Sequence, residues 1–285
     1  MAALSLATAE SDRLLDERDL RTAQEFARHI SFAVDSALLY RESKEVQDEL
    51  RLANEAKDEF LGLMSHELRT PITTLYGGAK ILRSRGQYLD EEHKESLLND
   101  IETEAEGMHR MIEDLLVLAR TGAGGQVATE PILANRLAEK VVRGFQLHKP
   151  ARQIEVQTEP DLLPVMADTT YLEQVLRNLL SNADKYSPPG VPIDVEIRNG
   201  GEEVVIAVLD RGAGIDPEEA ELVFTRFYRA ERTARGVRGM GLGLTVCKKL
   251  VEAQGGRIWA RPREGGGTEV AFALPAFTAS YDDPE

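Results

Sequence analysis

Residues 65–71 read Ser-His-Glu-Leu-Arg-Thr-Pro and lie in a segment whose apolar residues recur at helical spacing. At about 100° per residue, His66 lies about 200° from both Met64 and Leu68 of the apolar stripe, which predicts that its imidazole faces solvent. One ring nitrogen of a neutral imidazole can attack phosphorus while Glu67 accepts the proton from the other. Pro71 has no N–H for the carbonyl of Glu67, so we expect a weakened or bent helix. The alternative is an ordinary surface histidine beside a carboxylate.

The flanking sequence predicts long helices. Residues 19–53 read as a long helix, in which the apolar positions from Phe26 to Tyr40 alternate steps of four and three, as in a coiled coil. A second phase, displaced by one residue, runs from Val46 to Phe60. The next helix carries an apolar stripe over residues 64–82, the segment 83–90 predicts a turn, and a return helix carries a stripe over residues 97–119. Each hairpin helix has one apolar side. Pairing two hairpins into a four-helix bundle removes these stripes from water, so we predict a homodimer.

A second domain follows a glycine-rich run. Residues 121–125, Thr-Gly-Ala-Gly-Gly, cannot sustain a helix and predict a flexible linker. Beyond them, helical patterns mix with strand-like runs, which predicts an α/β sandwich of about 150 residues. The predicted helices cover residues 133–148 and 169–185, and the predicted strands cover residues 154–157, 193–198, 204–209, 257–260 and 269–274.

Composition narrows the possible functions. The formal net charge of the 285 residues is −15, so a broad basic surface for nucleic acid is not expected. No apolar stretch approaches the roughly 18 to 20 residues that span a bilayer, and the N-terminus lacks a basic region followed by an apolar run. The single cysteine, Cys247, lies in a helical pattern and is interpreted as a buried packing residue. These features predict a cytoplasmic chain without a membrane span.

Two asparagines in the second domain share one helix face. Asn178 and Asn182 are four residues apart, and Lys185 lies about one turn further on. Amide oxygens can bind Mg²⁺, which shares the phosphates of its nucleotide, and Lys185 adds positive charge. Neither asparagine can act as a general base for water. Such a site suits transfer of a phosphoryl group rather than hydrolysis, although the residues also fit an exposed helix.

Residues 210–214, Asp-Arg-Gly-Ala-Gly, follow an apolar strand. A carboxylate at Asp210 can accept a hydrogen bond from an exocyclic amine such as that of adenine, and the glycines Gly212 and Gly214 let the backbone approach a flat ring. The alternative is a tight turn after a strand.

Two further segments fit a bound nucleotide. The glycines of residues 239–244, Gly-Met-Gly-Leu-Gly-Leu, open a helix and expose N–H groups that can bind phosphate. Between them and Asp210, residues 230–238 predict a mobile lid anchored by Phe224 and Phe227, or else an ordinary exposed loop. Residues 265–268, Gly-Gly-Gly-Thr, fit a hairpin turn before the last strand better than a ligand site.

The order of these motifs resembles one family. SHELRTP, NLLSNADKYS, DRGAGI, FTRFYR, GMGLGL and GGGT look like the H, N, G1, F, G2 and G3 boxes of sensor histidine kinases, in that order. The similarity covers about residues 50–277. It implies a multi-domain α and α+β protein, in which a dimeric antiparallel helical hairpin, forming a four-helix bundle, precedes an α/β sandwich of Bergerat type.

The resemblance also implies roles for individual residues. His66 would be the phosphoacceptor, Glu67 its acid/base partner, and Thr70 would help to position water that dephosphorylates a partner regulator. Asn182 would be the Mg²⁺ ligand, and Asn178 would stand where related ATPases place a water-activating glutamate. The implied partners are a second copy of the chain and the receiver domain of a response regulator. The implied ATP site comprises Asn178, Asn182, Lys185, Tyr186, Asp210, Gly212, Gly214, Arg229, Gly239, Gly241, Leu242, Gly243 and Thr268.

The resemblance divides the chain into five parts. Residues 50–121 would form the dimerisation and phosphotransfer domain, residues 122–129 a linker, residues 130–277 the catalytic ATP-binding domain, and residues 278–285 a tail. Residues 1–49 are similar to the last strand and final helix of a GAF sensor domain, followed by a signalling helix. The rest of such a domain is missing from the sequence, so the chain is either a fragment of a longer receptor or carries a segment converted into a signalling helix.

Two other classes of function compete with a histidine kinase. A non-catalytic dimeric scaffold would recruit regulators without phosphorylating itself, and the presence of His66, Asn182 and Asp210 argues against it. A fold-related ATPase would hydrolyse ATP to drive a conformational change. The amide of Asn178 in place of a carboxylate argues against that class.

Overall fold

In a computed structural model of the chain, the structure describes residues 16–121, 127–230 and 241–278. The predicted GAF-like strand at residues 2–9, the linker at residues 122–125, most of the predicted lid at residues 231–238, Gly239 and most of the predicted tail lie outside these described residues. Contacts divide the chain into two compact units, residues 1–65 and residues 66–285.

The first unit is helical over its described residues. Helix α1 spans Glu17–Arg85, so it supplies all of residues 17–65. Asp16 precedes it, and its Oδ1 accepts hydrogen bonds from the backbone N–H groups of Arg18 and Asp19 at 2.7 and 3.0 Å. These bonds satisfy donors that the first turn of a helix leaves unpaired. The apolar side chains of the predicted coiled-coil pattern, such as Phe26 and Ile30, are exposed in the single chain.

Helix α1 is one helix where the sequence pattern predicts two. A single glycine, Gly62, lies between the two predicted stripes, and an isolated glycine costs about 1 kcal/mol in a helix interior, too little to end a helix of this length. The helix also continues through Pro71. The sequence pattern therefore located the apolar stripes correctly but placed a break where the backbone has none.

A helical hairpin opens the second unit, as predicted. The C-terminal part of α1 leads through a 3-10 turn at Gly86–Tyr88 into helix α2, Glu91–Thr121. Asp90 caps α2, because its Oδ1 accepts a hydrogen bond from the backbone N–H of His93 at 2.8 Å. The two helices approach closely at Gly78, where an added Cβ would lie 3.0 Å from the side chain of Ile101.

The rest of the second unit is built on a mixed sheet with the strand order β2-β4-β5-β7-β6. Strand β2 pairs with β4 in parallel, and the other neighbours are antiparallel. A separate antiparallel pair, β1 and β3, lies outside this sheet. The strands are β1 Glu130–Ile132, β2 Ile154–Thr158, β3 Val165–Ala167, β4 Ile193–Asn199, β5 Glu203–Leu209, β6 Arg257–Pro262 and β7 Thr268–Pro275.

Three helices cover one face of the sheet. They are α3, Ala134–His148, α4, Thr169–Tyr186, and α5, Gly243–Glu252. Their apolar stripes pack with alternate residues of the strands into one core, in which Leu172, Leu176, Leu250 and Phe272 are fully buried. Cys247 belongs to this core, as expected for a packing residue.

The other face of the sheet carries charged side chains around a small apolar cluster. The cluster contains Val205, Ala207, Leu209, Ala271 and Ala273, with Trp259 packed against it. At one end of this face the strand register aligns four residues in a row across the sheet: Asp194 of β4, Leu209 of β5, Glu269 of β7 and Arg261 of β6. Residues directly opposite one another on paired strands share a face, so this row is continuous.

The predicted fold class is confirmed, since a helical N-terminal region precedes a mixed α/β sheet domain. All five predicted strands and the helices of the second domain are present with shifts of one or two residues at their ends. The prediction missed β1 and β3, which have three residues each. Within the described residues, no helix is long and apolar enough to cross a membrane.

Candidate functional site

The side chain of His66 faces outward from helix α1, as the helical spacing predicts. It is 74% exposed, and its Nδ1 lies 3.6 Å from Oε1 of Glu67, which is 34% exposed. This distance is too long for a hydrogen bond. Ser65 and Pro71 flank the turn, and Pro71 is buried. The histidine is therefore accessible, and the carboxylate that we expect to accept its proton lies next to it.

A cavity of about 990 Å³ lies beside this turn of α1. Glu67, Thr70 and Pro71 line it from α1, and His66 does not. From the α/β part of the unit, α4, the segment after β5 and the segment leading into α5 line it. Its volume is in the range of small-molecule sites. The cavity brings together residues of all six sequence motifs, which are far apart in the chain.

Helix α4 places both asparagines at this cavity. Its N-terminus is capped by Asp168, whose side chain accepts a hydrogen bond from the backbone N–H of Tyr171 at 2.9 Å. One face of α4 is buried in the core, so Asn178 and Asn182 project from the other side into the cavity lining. Among residues 16–121, 127–230 and 241–278, no group of three His, Cys, Asp or Glu side chains could hold a metal ion. The side-chain oxygen of Asn182 is one that Mg²⁺ could use together with nucleotide phosphates.

Asp210 is a buried acceptor at the end of β5. Its Oδ1 accepts hydrogen bonds from the backbone N–H groups of Gly212 at 2.7 Å and Thr268 at 3.2 Å. Neither backbone donor uses Oδ2, which is therefore the oxygen that we expect to accept from a ligand amine. Burial raises the pKa of this carboxyl, and the two backbone donors and the nearby Arg263 oppose the rise.

The three glycines Gly265 to Gly267 form the turn between β6 and β7, with φ values of 87, 101 and 102°. An added Cβ on Gly267 would lie 2.1 Å from the carbonyl oxygen of Asp210. The next residue, Thr268, donates to the Asp210 side chain, and its carbonyl accepts from the Asp210 N–H at 2.8 Å. The turn predicted at this position is confirmed, and Thr268 directly after it lines the cavity together with Asp210.

The segment leading into α5 approaches the asparagines. Gly241 has a φ of 68°, and an added Cβ there would lie 2.7 Å from the carbonyl oxygen of Tyr228. Gly243 begins α5, and its Cβ position is 3.9 Å from the side-chain nitrogen of Asn182. Leu242 is buried, while its neighbours open the helix with N–H groups that lack intrahelical partners. These glycines provide the backbone surface that a phosphate requires.

Cationic side chains lie at the same opening. Lys185, Tyr186 and Arg229 all line the cavity. Partial desolvation and the guanidinium of Arg229 lower the pKa of Lys185, while the nearby carboxylate of Glu67 opposes this effect. The Nζ of Lys185 lies 5.8 Å from the centre of the Tyr186 ring. Positive charge is thus available between the asparagines and the turn of α1 that carries His66.

Helix α2 contributes a residue that the sequence patterns did not indicate. Oδ1 of Asp114 accepts hydrogen bonds from the side-chain amides of Gln174 at 3.2 Å and Asn178 at 3.5 Å. Burial raises the pKa of Asp114, and these two bonds oppose the rise. The apolar stripe of α2 does not indicate this contact, because the hydrogen-bond partners of Asp114 lie on helix α4, far along the sequence.

Arg152 is a second residue missed from the sequence. It is buried and donates to Oδ1 of Asp184 at 2.6 Å. It also donates to four backbone carbonyls, those of Asp184, Ser187, Pro188 and Val191. These carbonyls belong to the last turn of α4 and the loop after it. Arg152 therefore fixes the end of the helix that presents Lys185 and Tyr186 to the cavity.

The structure thus gathers most of the predicted site residues around one cavity. Those lining it are Glu67, Thr70, Asn178, Asn182, Lys185, Tyr186, Asp210, Gly214, Arg229, Gly241, Leu242, Gly243 and Thr268. Gly212 does not line it but donates its N–H to Asp210. His66 lies outside the lining, and Gly239 lies outside the described residues.

Two family models match the chain in sequence order. The His Kinase A (phospho-acceptor) domain matches residues 56–124. The family described as histidine kinase-, DNA gyrase B-, and HSP90-like ATPase matches residues 167–278. The first match includes His66, and the second includes both asparagines of α4 and Asp210.

A curated relative aligns across both regions. The sensor histidine kinase WalK of Bacillus subtilis is 35% identical over 235 residues, which are 81% of this chain and 38% of WalK. The chain spans 27%, 38% and 56% of the first three curated relatives that it matches.

Solved structures of histidine kinases share the fold. The structure of full-length ShkA in complex with AMPPNP has a TM-score of 0.56 and 26% identity, and the match covers 78% of this chain and 46% of ShkA. The structure of histidine kinase ThkA in complex with the response regulator protein TrrA has a TM-score of 0.57 and 25% identity. The match covers 77% of this chain and 61% of the matched chain. Since the two family models occur in order and named sensor histidine kinases align across both, the chain carries the phospho-acceptor and ATPase regions of a histidine kinase in one sequence.

Proposed function

We propose that this chain uses Mg-ATP to phosphorylate its own His66 and passes the phosphoryl group to an aspartate of a response regulator. The observation that carries the proposal is the single cavity that Glu67, the neighbour of His66, shares with Asn182, Asp210 and the glycines before α5. A complex of ThkA with a response regulator and one of ShkA with AMPPNP support the two implied partners.

Different residues of the cavity bind different parts of ATP. Oδ2 of Asp210 accepts from the adenine amine, and Gly241 and Gly243 offer backbone N–H groups to the phosphates. Asn182 would hold Mg²⁺, which supplies neutralising charge to the phosphates. Lys185 and Arg229 add positive charge beside them. Position 178 carries an amide and not a carboxylate, so Asn178 cannot act as the base that activates water for hydrolysis.

The transfer step uses His66 as nucleophile. One ring nitrogen forms a bond to the γ-phosphorus while the bond from that phosphorus to the bridging oxygen of ADP breaks, and ADP leaves with the electron pair. Glu67 accepts the proton of the other ring nitrogen and stabilises the charge that develops on the ring. In the second transfer a carboxylate oxygen of the regulator attacks the phosphorus, and the imidazole of His66 is the leaving group.

The proposal extends to the organisation of the chain. Residues 50–121 form the dimerisation and phosphotransfer domain, residues 122–129 the linker, residues 130–277 the catalytic domain, and residues 278–285 a tail. Residues 1–49 are the end of a GAF-like sensor domain with its signalling helix. Exposed apolar side chains on both hairpin helices, such as Ile72 at 50% and Ile112 at 46%, support a homodimer. Because ATP is a cytoplasmic substrate, we expect this part of the protein to act in the cytoplasm.

Thr70 supports a second activity, dephosphorylation of the regulator. It lies one turn after His66 on α1 and lines the cavity, where its hydroxyl can orient a water molecule. Thr70→Ala is expected to slow loss of phosphate from a phosphorylated receiver domain while leaving labelling of His66 intact. Equal dephosphorylation rates for the variant and the wild type would remove this activity from the proposal.

The first experiment incubates the purified chain with γ-labelled Mg-ATP beside His66→Gln and Asn182→Ala. Label that is acid-labile and base-stable, present on the wild type and absent from both variants, is the expected result. His109→Gln is the matched control, because His109 is 76% exposed and also lies near a glutamate, Glu113, at 3.8 Å. It should label normally. ATP turnover without label would favour the ATPase class, and neither signal would favour the scaffold.

A further inference from the structure

We infer that Asp194 is a positioning residue for nucleotide binding, which holds the adenine acceptor Asp210 in place through Arg211 and Arg263. The inference rests on the proposed function, because it assigns a purpose to a contact with the adenine amine. Asp194 lies on β4, does not line the cavity, and belongs to none of the motifs found in the sequence.

Asp194 is a buried acid with two cationic partners. Its side chain is 6% exposed, and its Oδ2 lies 2.8 Å from Nη2 of Arg211 and 2.6 Å from Nη2 of Arg263. A buried carboxylate is costly unless it is paired, and each guanidinium is held in return by a fixed negative partner. The three side chains therefore restrain one another more strongly than a pair at the surface would.

The first arginine restrains the segment after β5. Arg211 follows Asp210 directly, and its guanidinium also donates to the carbonyl of Pro192 in the loop before β4. The backbone N–H of Arg211 approaches Oγ of Ser187 at 3.5 Å, just beyond the end of α4. The backbone at Asp210 is thereby tied to β4 and to the end of the asparagine helix.

The second arginine restrains the glycine turn. Arg263 precedes Gly265 to Gly267, and its backbone N–H donates to the carbonyl of Gly267 at 3.0 Å. Its guanidinium spans Asp194 and the backbone of Asp210, since Nη1 donates to the carbonyl of Asp210 at 3.3 Å. Both segments that donate hydrogen bonds to the Asp210 side chain, at Gly212 and Thr268, thus connect to the same carboxylate.

The strand register fixes the backbone position of Asp194 next to β5. It lies directly opposite Leu209, the residue before Asp210, in the antiparallel pairing of β4 with β5. Strand positions are set by ladder hydrogen bonds along their whole length, whereas the segments after β5 and β6 keep few such bonds, among them Asp210 to Thr268 and Arg263 to Gly267. Through its two arginines, Asp194 adds a restraint from the sheet to both segments.

The same row of residues contains a natural contrast. Glu269 lies on the other side of Leu209, on β7, and its carboxylate is also buried and paired with an arginine, Arg261, at 2.8 Å. Arg261 lies on strand β6 and not in a loop of the cavity. If a buried ion pair on this face served only stability, neutralising either acid would have the same consequence for nucleotide binding.

The test compares ATP with purine riboside triphosphate, which lacks the exocyclic amine, by titration calorimetry on the full chain. We expect the wild type to prefer ATP by about tenfold, because a charged acceptor loses its donor in the analogue. In Asp194→Asn the affinity for ATP should fall about tenfold and that for the analogue little, so the preference disappears. The rate of His66 labelling at saturating ATP should stay near that of the wild type.

Controls separate positioning from stability. Glu269→Gln should keep the preference for ATP. Arg263→Gln leaves Asp194 paired with Arg211 and should also lower the preference, which covers the case in which Asp194→Asn does not fold. Equal loss of affinity for both nucleotides in the folded Asp194 and Arg263 variants, or no loss, would overturn the inference while the proposed function stands. A wild type that binds no ATP would overturn both.

Discussion

The side-chain amide of Asn178 donates a 3.5 Å hydrogen bond to Oδ1 of Asp114, which connects the asparagine helix α4 to helix α2 of the hairpin. Gln174, one turn earlier on α4, donates to the same oxygen at 3.2 Å. Val117 and Leu118, further along α2, pack against the core of the α/β part. An amide that faces the nucleotide cavity is thus held by the helical hairpin in this conformation.

Asp114→Ala is expected to raise the affinity for ATP about fivefold. One hydrogen bond to the amide is worth about 1 kcal/mol, and its loss leaves Asn178 available to the nucleotide. Fluorescence titration with a labelled ATP analogue measures the change. Glu113→Ala is the control, because Glu113 is the adjacent, 56% exposed residue of the same helix. An unchanged or lower affinity in the Asp114 variant would show that the contact does not restrain the site.

Asp210→Asn is expected to lose at least tenfold in ATP affinity. A single amide oxygen cannot accept from both the backbone donors at Gly212 and Thr268 and the adenine amine, whereas the two oxygens of the carboxylate can. Calorimetric titration at neutral pH gives the comparison. Asp100→Asn, an exposed substitution on α2, should bind ATP as the wild type does.

Asp210→Asn should also change how the free energy of unfolding depends on pH. Because burial raises the pKa of Asp210, the folded chain holds this proton more tightly than the unfolded chain. The stabilising contribution is complete below the unfolded pKa and is lost as pH rises through the folded pKa. The free energy of unfolding of Asp210→Asn, relative to the wild type, should therefore increase as pH rises from below 3.8 and then level off. Urea denaturation at a series of pH values measures it, and a constant or falling difference would contradict the assignment.

Gly267→Ala should destabilise the chain and abolish ATP binding. Gly266→Ala should have a smaller effect on both stability and ATP binding. The two glycines have φ values of 102 and 101°, so alanine suffers similar backbone strain at both positions. Only at Gly267 would the new Cβ collide with a carbonyl oxygen, that of Asp210, whereas at Gly266 no atom lies within 4 Å. Thermal unfolding and ATP titration distinguish the variants, and equal losses would show that the collision is relieved by local movement.

Arg152→Gln is expected to lower the free energy of unfolding by about 3 kcal/mol. It leaves the carboxylate of Asp184, which is 17% exposed, and several backbone carbonyls without their donor. Arg143→Gln is the matched control, since Arg143 is 69% exposed and pairs with Glu139 in the same helix. That substitution should cost at most about 0.5 kcal/mol. Denaturant unfolding of both variants tests the difference.

Local patterns in the sequence were enough for the outline of the fold. The outward orientation of His66 follows from its spacing relative to Met64 and Leu68, and the longer strands show runs of apolar residues. Strands β1 and β3 were missed because three residues are too few to establish alternation, and Pro131 within β1 is unfavourable in most strands. Helix α1 was divided in the prediction because its apolar residues fall into successive stripes, although the backbone continues.

The grouping of residues at the cavity was predictable where a single motif supplied them, as at Asn182 and Asp210. Residues that act through partners far along the chain were missed. Asp114 is 64 residues from Asn178, Arg152 is 32 from Asp184, and Asp194 is 69 from Arg263. An isolated charged residue in a strand or helix has no distinguishing spacing, since its partner is determined only by the tertiary fold. Such side chains are therefore found from the packing of the folded chain.

The row of charges at Asp194 also has a consequence for protein engineering. A graft that moves residues 210–214 into another kinase scaffold would carry Arg211 without its acid, and an exchange of the β6–β7 turn would carry Arg263 in the same unmatched state. Positions 194, 211 and 263 therefore form one module that has to be transplanted or redesigned together. Exchanging segments at the borders of the sequence motifs would separate Asp194 from its two arginines.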